Sequence, residues 1–167
     1  MGMRLESVIV DVLHCVDLGI AAHIIGNIFW LCQEMGAWAG TTQEERVAGL
    51  EAELNQHYKD SRESSRLRGK LTVARLRTDG GWPKIKAKGA PTRHVAPFAW
   101  SLAQRHLGPM EAALAQLLVQ FYALISGPDM FLSDDARREI AAVGLRICVI
   151  YSRLSANAIA AGRKLWK

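Results

Sequence analysis

The sequence lacks the motifs that mark several common enzyme classes. It has no GxGxxG, no Walker loop and no HExxH, which excludes the usual dinucleotide-binding, phosphate-loop and zinc-protease signatures. It has no CxxC pair, so a structural zinc site of the usual type is not expected. The three cysteines, Cys15, Cys32 and Cys148, are an odd number and lie far apart in apolar surroundings. They predict reduced core thiols in an intracellular protein rather than disulfides.

The sequence also lacks a long apolar run. The best candidate, 18–32, is fifteen residues long, whereas about 20 are needed to span a bilayer. The N-terminal apolar run is short and is broken by Asp11 and His14, so a signal peptide is not expected. Residues 18–32 therefore predict a buried core helix, and a membrane partner is not expected.

What is present is the composition of one globular domain with helical patterning. Of 167 residues, 50% are hydrophobic and 22% are charged. Capping residues, Gly-Pro breaks and apolar spacing predict helices near 18–35, 43–60, 67–76, Thr92 to 107, 110–125 and 134–164. Asp17, Thr42, Thr92 and Ser133 are the predicted N-caps. The predicted fold is mainly α, a multi-helix bundle in a single domain 1–167 with a basic, loop-rich segment at 62–94.

The exception is a β-branched run, Val8 to Val10, which reads as one short buried strand. A strand cannot satisfy its own backbone groups and needs a partner, and no other stretch resembles a good central strand. Two explanations stay open. Either 5–13 is the first turn of a long helix, or the strand belongs to a sheet outside this chain.

Three potential ligands follow this run: Asp11, His14 and Asp17. Carboxylates and imidazoles collected at a strand end are a common way to hold Mg²⁺ or Mn²⁺ for phosphodiester chemistry. The alternative is structural, with Asp17 as an N-cap and His14 as a core histidine oriented by Asp11. Two carboxylates are too few for a complete two-metal site.

Positive charge is concentrated between residues 62 and 94. This basic block has ten basic and two acidic residues, a net +8 in a chain whose total is +5, so the remaining residues sum to −3. Such a block can neutralise phosphates, and an aromatic side chain within it can stack on a base. The alternatives are a solvated basic surface or a patch that pairs with the acidic helix at 44–63. The predicted nucleic-acid contacts are Arg75, Arg77, Trp82, Lys84, Lys86, Lys88 and Arg93.

The order Asp11-Val-Leu-His14 followed by an apolar helix resembles the D-x-x-H signature of eukaryotic cut-and-paste DNA transposases of the hAT-like and CACTA-like families. The segment Lys84-Ile-Lys-Ala-Lys, followed by Arg93-His94, is similar to basic parts of related reading frames. The resemblance implies an RNase H-like catalytic domain whose acidic triad holds two divalent metals, with Asp11 as a catalytic acid. No earlier strand carries a first Asp here, and neither Glu111 nor Glu139 can be assigned as the third acid. The chain would then match the helical insertion of such a domain, incomplete as a catalyst by itself.

The resulting expectation is a transposase-derived, nucleic-acid-binding fragment. Its expected location is intracellular, including the nucleus, and its expected partners are DNA and the remainder of a larger catalytic domain. Two alternatives stand beside it. One is a small helical interaction module that docks a helical partner protein through helix 18–32. The other is a membrane-associated helical protein that uses the same helix.

Overall fold

The computed structural model describes residues 13–126 and 133–167, and within these ranges the protein is helical with no β-strand. The prediction of a mainly α, multi-helix protein is confirmed. The predicted strand at Val8–Val10 lies outside the described residues. A π-helical segment, Leu13–Ile20, precedes six α-helices in the described ranges. They are α1 (Ala21–Glu34), α2 (Gln43–Asp60), α3 (Val73–Leu76), α4 (Gly89–His106), α5 (Pro109–Ile125) and α6 (Asp134–Ala160).

Helix α1 is the centre of the fold, as its nearly continuous apolar surface predicts. Twelve of its fourteen residues are buried, and α2, α4 and α5 all pack against it. Phe29 of α1 meets Phe98 of α4 edge to face, with ring centroids 5.8 Å apart. The stretch Cys15–Glu34 is long and apolar enough to cross a membrane, yet 67% of its most apolar window is buried inside this fold. A core helix explains that pattern.

The end of α1 is as predicted, but its start is not. Gly36 has a positive φ of 74°, and the amides of Gly36 and Ala37 bond back to Gln33 and Cys32, which closes the helix with a glycine cap. Asp17 was predicted to be the N-cap, and this is wrong. The chain is already helical from Leu13, with a kink at Gly19, and the carboxylate of Asp17 pairs with Arg93 rather than with a helix amide.

Helix α2 confirms its predicted bounds and its capping box. The Glu45 amide donates to the Thr42 hydroxyl, and the Thr42 amide donates to the Glu45 carboxylate. This carboxylate also accepts from Thr41, and these backbone hydrogen bonds lower the pKa of Glu45. The apolar stripe of α2 faces inward, with Val47, Leu50, Leu54 and Tyr58 buried.

The chain from 61 to 88 is mostly not helical. The short helix predicted across Leu67 to Leu76 is reduced to the four residues of α3, because Gly69 adopts a positive φ of 74° and breaks any helix there. The predicted turn at Thr78–Gly81 is confirmed by the bond from the Gly81 amide to the Thr78 carbonyl, 2.8 Å. Residues 82–88 then lead into α4 without a helix or an assigned strand. The amides of Lys84 and Lys86 bond to one side and that of Ile85 to the other, which is the alternation of an extended chain, and we call 82–88 the extended segment.

Helix α4 begins three residues before Thr92, so the prediction that Thr92 caps it is wrong. Thr92 is buried, and its hydroxyl donates to the Lys88 carbonyl, which is the backbone position that precedes the helix. Pro97 lies inside the helix. Helix α5 begins at Pro109, one residue before its predicted start at 110, and the predicted Ser133 cap of α6 is confirmed.

The outermost helix is α6, which packs against α5. Its predicted apolar stripe is Ile140, Val143, Ile147, Ile150 and Leu154, of which Val143, Ile147 and Leu154 are buried and Ile140 and Ile150 partly buried. The cysteine prediction is only partly right. All three thiols are free, but Cys15 and Cys148 are exposed, and only Cys32 is a core thiol, where burial raises its pKa to about 12.

Candidate nucleic-acid interface

The extended segment 82–88 lies directly against the central helix. An added Cβ at Gly26 would stand 2.6 Å from the Lys84 Cα, so only glycine permits this approach. The Ile85 amide donates to the Ala22 carbonyl at 3.0 Å, and the Lys84 and Lys86 amides donate to Leu76 and Arg75. These bonds fix both the position and the rotation of the segment.

The fixed rotation separates the apolar and basic side chains of the segment. Pro83 and Ile85 are buried, whereas Lys86 and Lys88 are exposed and Lys84 is half-buried. This follows from the period of two in an extended chain, in which alternate side chains point to opposite sides. No hydrogen bond or ion pair to the side chains of these three lysines occurs among the described residues.

Two concavities adjoin this lysine row and share Lys86. The first, about 390 Å³, is lined by Leu67, Arg68, Arg75, Lys86, Ala87, Lys88 and Pro91. The second, about 320 Å³, is lined by His23, Thr78, Gly81, Trp82, Lys84, Lys86 and Lys167. Neither set of lining residues includes an acidic side chain. We call the two together the basic trough.

His23 forms part of the floor of the trough and contributes no charge at neutral pH. Burial lowers its pKa, and the positive charges of Lys84 and Lys167 lower it further, against an opposing hydrogen bond with the Pro83 carbonyl. The ring Nδ1 lies 3.2 Å from that carbonyl oxygen. The carbonyl thus holds the neutral ring in place, and the positive character of the trough comes from lysine and arginine.

Two of the arginines predicted to contact nucleic acid, Arg75 and Arg77, donate hydrogen bonds to backbone carbonyls of the protein. Arg75 donates to the carbonyls of Gly69, Lys70 and Lys86, yet it still lines the trough. Arg77 donates to the Gly81 carbonyl and stacks over the Trp30 ring at 4.9 Å. Arg77 lines a different concavity together with Glu44 and Asp79, so its surroundings are partly acidic.

Arg93 also lies elsewhere. Its guanidinium pairs with Asp17 at 3.2 Å and sits 5.3 Å from the centre of the Tyr122 ring. Asp17 is 2% exposed and Arg93 33% exposed, so this is a largely buried ion pair between the π-helical segment and α4. Burial raises the pKa of Tyr122, and the adjacent Asp17 carboxylate raises it further. Arg93 lines a concavity with Glu63 and His94, which are themselves paired at 2.8 Å.

The described residues do not form a metal site. Among them, no group of three or more His, Cys, Asp or Glu side chains could hold an ion. Asp11 and the side chain of His14 lie outside the described part of the chain. Asp17 is within it, but a guanidinium 3.2 Å from its carboxylate opposes the binding of a cation there. The expectation of Mg²⁺ or Mn²⁺ stays a prediction, and no chemistry is derived through it.

The structure therefore brings together five of the seven predicted contacts, namely Arg75, Trp82, Lys84, Lys86 and Lys88. It adds Arg68, which stands in the same basic block, and Lys167, which no sequence signal connects to it. Lys167 lies at the trough because the amide of Trp166, its neighbour in the chain, donates to the side-chain oxygen of the buried Asn27 at 2.9 Å. The contact joins residues 139 positions apart.

These features define a helical protein with a concave basic surface whose described lining residues include no acidic side chain. A scan against protein-family models, a search of curated proteins and a search of solved structures each returned no match.

Proposed function

We propose that this protein binds nucleic acid through the basic trough. The observation that carries the proposal is the meeting of six basic residues and one tryptophan around two neighbouring concavities whose described lining residues include no carboxylate. These residues are Arg68, Arg75, Lys84, Lys86, Lys88, Lys167 and Trp82.

The lysines suit a phosphate ligand because binding would displace only water and counterions. Lys84, Lys86 and Lys88 make no ion pair within the described chain that a ligand would have to break. Each phosphate that such a cation neutralises releases a condensed counterion, which favours binding and makes it weaken as salt rises. Trp82 offers an aromatic surface beside these charges for stacking on a base.

The origin of the chain as the helical insertion of a transposase-like catalytic domain is a second, separate proposal, supported by the D-x-x-H order and by the mainly helical fold. On this proposal Asp11 is a metal-binding acid, and phosphodiester transfer requires parts supplied from outside this chain. The genomic sequence on either side tests it. An upstream strand carrying an Asp and a downstream helix carrying a Glu, in one reading frame, are expected; their absence contradicts the proposal.

The alternative in which helix 18–32 docks a helical partner requires an exposed apolar surface on α1, and little of that surface is exposed. Helix α1 is covered by α2, α4, α5 and the extended segment, and twelve of its fourteen residues are buried. The same burial accounts for its apolar length without a bilayer. No contact of the described residues favours either alternative over nucleic-acid binding.

The test replaces Lys84, Lys86 and Lys88 together with Gln. Binding of a labelled oligonucleotide is measured by fluorescence anisotropy as salt is raised. The slope of log affinity against log salt is expected to become shallower by about 1 for each phosphate that the variant no longer neutralises. The unfolding midpoint is expected to change little, because Lys86 and Lys88 are exposed, Lys84 is only half-buried, and none of the three side chains has a partner among the described residues.

The matched control is Lys59→Gln with Arg146→Gln and Arg153→Gln, which removes the same charge from exposed positions outside the trough. The control is expected to keep most of the affinity and the full salt slope. An equal drop in affinity in the two triple variants would mean that only net charge matters. Wild-type affinity in the trough variant would contradict the proposed function.

A further inference from the structure

We infer that the ligand of the basic trough is a single strand of nucleic acid, whose phosphates follow the lysine row while a base stacks on Trp82. This inference rests on the proposed function and narrows it from nucleic acid in general to one form.

The first argument is the arrangement of the cations. Lys84, Lys86 and Lys88 occupy alternate positions of the extended segment, and an extended backbone spaces the Cα atoms of such positions by about 6–7 Å. The buried Pro83 and Ile85 and the bonds to Ala22 and Leu76 keep the segment from twisting this row out of line. One line of evenly spaced charges matches the phosphates of one strand.

The second argument is the shape of the surface. A protein reads a duplex by placing a helix or a β-ribbon into a groove that is about 12 Å wide. The trough offers no protruding element of this kind. It is concave, and the extended segment within it lies flat against α1. Concavities of about 390 Å³ and 320 Å³ are too small to admit the cylinder of a duplex, but they can admit individual nucleotides.

The third argument is the position of the tryptophan. Trp82 lines the same concavity as Lys84, Lys86 and Lys167, so a base stacked on it would keep its phosphate within reach of the cations. Bases in a duplex are stacked on each other and their faces are not available, whereas each base of a single strand offers its face. A side chain placed for stacking is therefore of use only with unpaired bases.

The fourth argument is the contrast with neighbouring concavities. The one at Arg77 is lined also by Glu44 and Asp79, and the one at Arg93 by Glu63. A phosphate chain would be repelled by those carboxylates. The described residues that line the trough include none, and Lys86 lines both of its concavities, so a strand that contacts Lys86 lies beside both.

The test compares four probes by anisotropy or co-sedimentation in low salt (about 50 mM). They are a single-stranded DNA and a single-stranded RNA of about 12 nucleotides, a DNA duplex of the same length, and vesicles that contain anionic lipid. Either single strand is expected to bind at least about ten-fold more tightly than the duplex, and a preference between them identifies the sugar.

Trp82 is replaced by Leu and, separately, by Phe. Trp82→Leu is expected to weaken single-strand binding about ten-fold and to leave duplex binding unchanged, whereas Trp82→Phe retains a stacking ring and most of the affinity. The Phe variant keeps the test valid should the Leu variant unfold, because stacking with Phe restores binding only if a base lies on that ring. Circular dichroism confirms the fold of both.

The outcomes separate the two proposals. Duplex binding as tight as single-strand binding, with the same dependence on Lys84, Lys86 and Lys88, overturns the single-strand inference and leaves nucleic-acid binding in place. An unchanged affinity in Trp82→Leu also overturns it. Binding to vesicles and to no oligonucleotide overturns both the inference and the proposed function.

Discussion

Two sets of basic residues stand close in sequence but have different surroundings. The inner region is the pair Arg77 and Arg93, and the outer region is the lysine row Lys84, Lys86 and Lys88. Arg77 stacks on Trp30 and bonds to a carbonyl, and Arg93 is paired with the buried Asp17. Lys86 and Lys88, a few residues away, are exposed and have no ion pair within the described chain. One charge-rich stretch therefore supplies both internal contacts of the fold and an open surface.

The difference follows the chemistry of the two side chains. A guanidinium is planar, weakly hydrated and has several donors in a fixed geometry, so it can stack on a ring and bond to carbonyls in a partly buried place. An ammonium is compact and strongly hydrated, so it stays in water unless an anion replaces that water. A net charge of +8 counted along the sequence does not distinguish these roles, whereas the identity of each basic residue does.

The largest expected effect is on the inner region. Replacing Arg93 with Met leaves the Asp17 carboxylate buried without its partner, which is expected to lower the free energy of unfolding by about 2–3 kcal/mol. This is less than a fully buried pair would lose, because Arg93 is one-third exposed. Chemical denaturation measures the change, and a cycle with Asp17→Asn isolates the coupling between the two side chains.

The same variant sharpens the contrast with the trough. Arg93 lines a different concavity, so the affinity of folded Arg93→Met for an oligonucleotide is expected to match the wild type. A decrease in affinity comparable to that of the lysine variant would show that the inner arginines also touch the ligand. A change in stability below about 0.5 kcal/mol would show that the ion pair contributes nothing.

The second prediction concerns Gly26, where the extended segment that carries the lysine row approaches α1 most closely. In Gly26→Ala the new methyl group would lie 2.6 Å from the Lys84 Cα, so the extended segment must move away from α1. The overpacking exceeds the gain in helix propensity, and we expect a net loss of about 1–2 kcal/mol together with weaker oligonucleotide binding. Thermal or denaturant unfolding and anisotropy measure the two effects.

Gly144→Ala on α6 is the matched control. Nothing lies within 4 Å of a Cβ added at Gly144, so the same substitution in a helix is expected to stabilise the protein by about 0.5–1 kcal/mol. Equal effects of the two substitutions would contradict the close approach of the extended segment to α1.

The smallest effect concerns His23, which lines the trough. Its pKa is lowered in the folded protein, so below the usual value of 6.5 the unfolded chain binds more protons than the folded one. Stability is therefore expected to fall as pH decreases below that value. His23→Gln is expected to fall less steeply between pH 7 and 5. Parallel curves for the two proteins would contradict the assigned shift.

Local chemistry in the sequence was sufficient to predict most helix ends. The Thr42–Glu45 box, the Gly36 cap and the Gly108-Pro109 break each act within a few residues, and all three are present as expected. The wrong predictions have a non-local cause. Asp17 has the right residue type and place for a cap, but a guanidinium 76 positions further along the chain competes for its carboxylate.

The trough was partly predictable for the same reason. The alternation of lysines with Ile85 and Ala87 indicates which side faces water, and this requires only the local pattern. The division of the arginines between the trough and the interior depends on where Trp30, Asp17 and Tyr122 lie in space. The place of Lys167 depends on a single contact between the last residues and α1, which periodicity cannot reveal.

That contact, from the Trp166 amide to the Asn27 side chain, has a consequence for how the protein forms. Asn27 is fully buried and is synthesised 139 positions before Trp166, so its side-chain oxygen receives this donor only after residue 166 has emerged. Joining positions this far apart requires a large loop to close, which raises the contact order and slows folding. A hydrogen bond at the centre of the molecule therefore forms only after residues far along the chain have been synthesised.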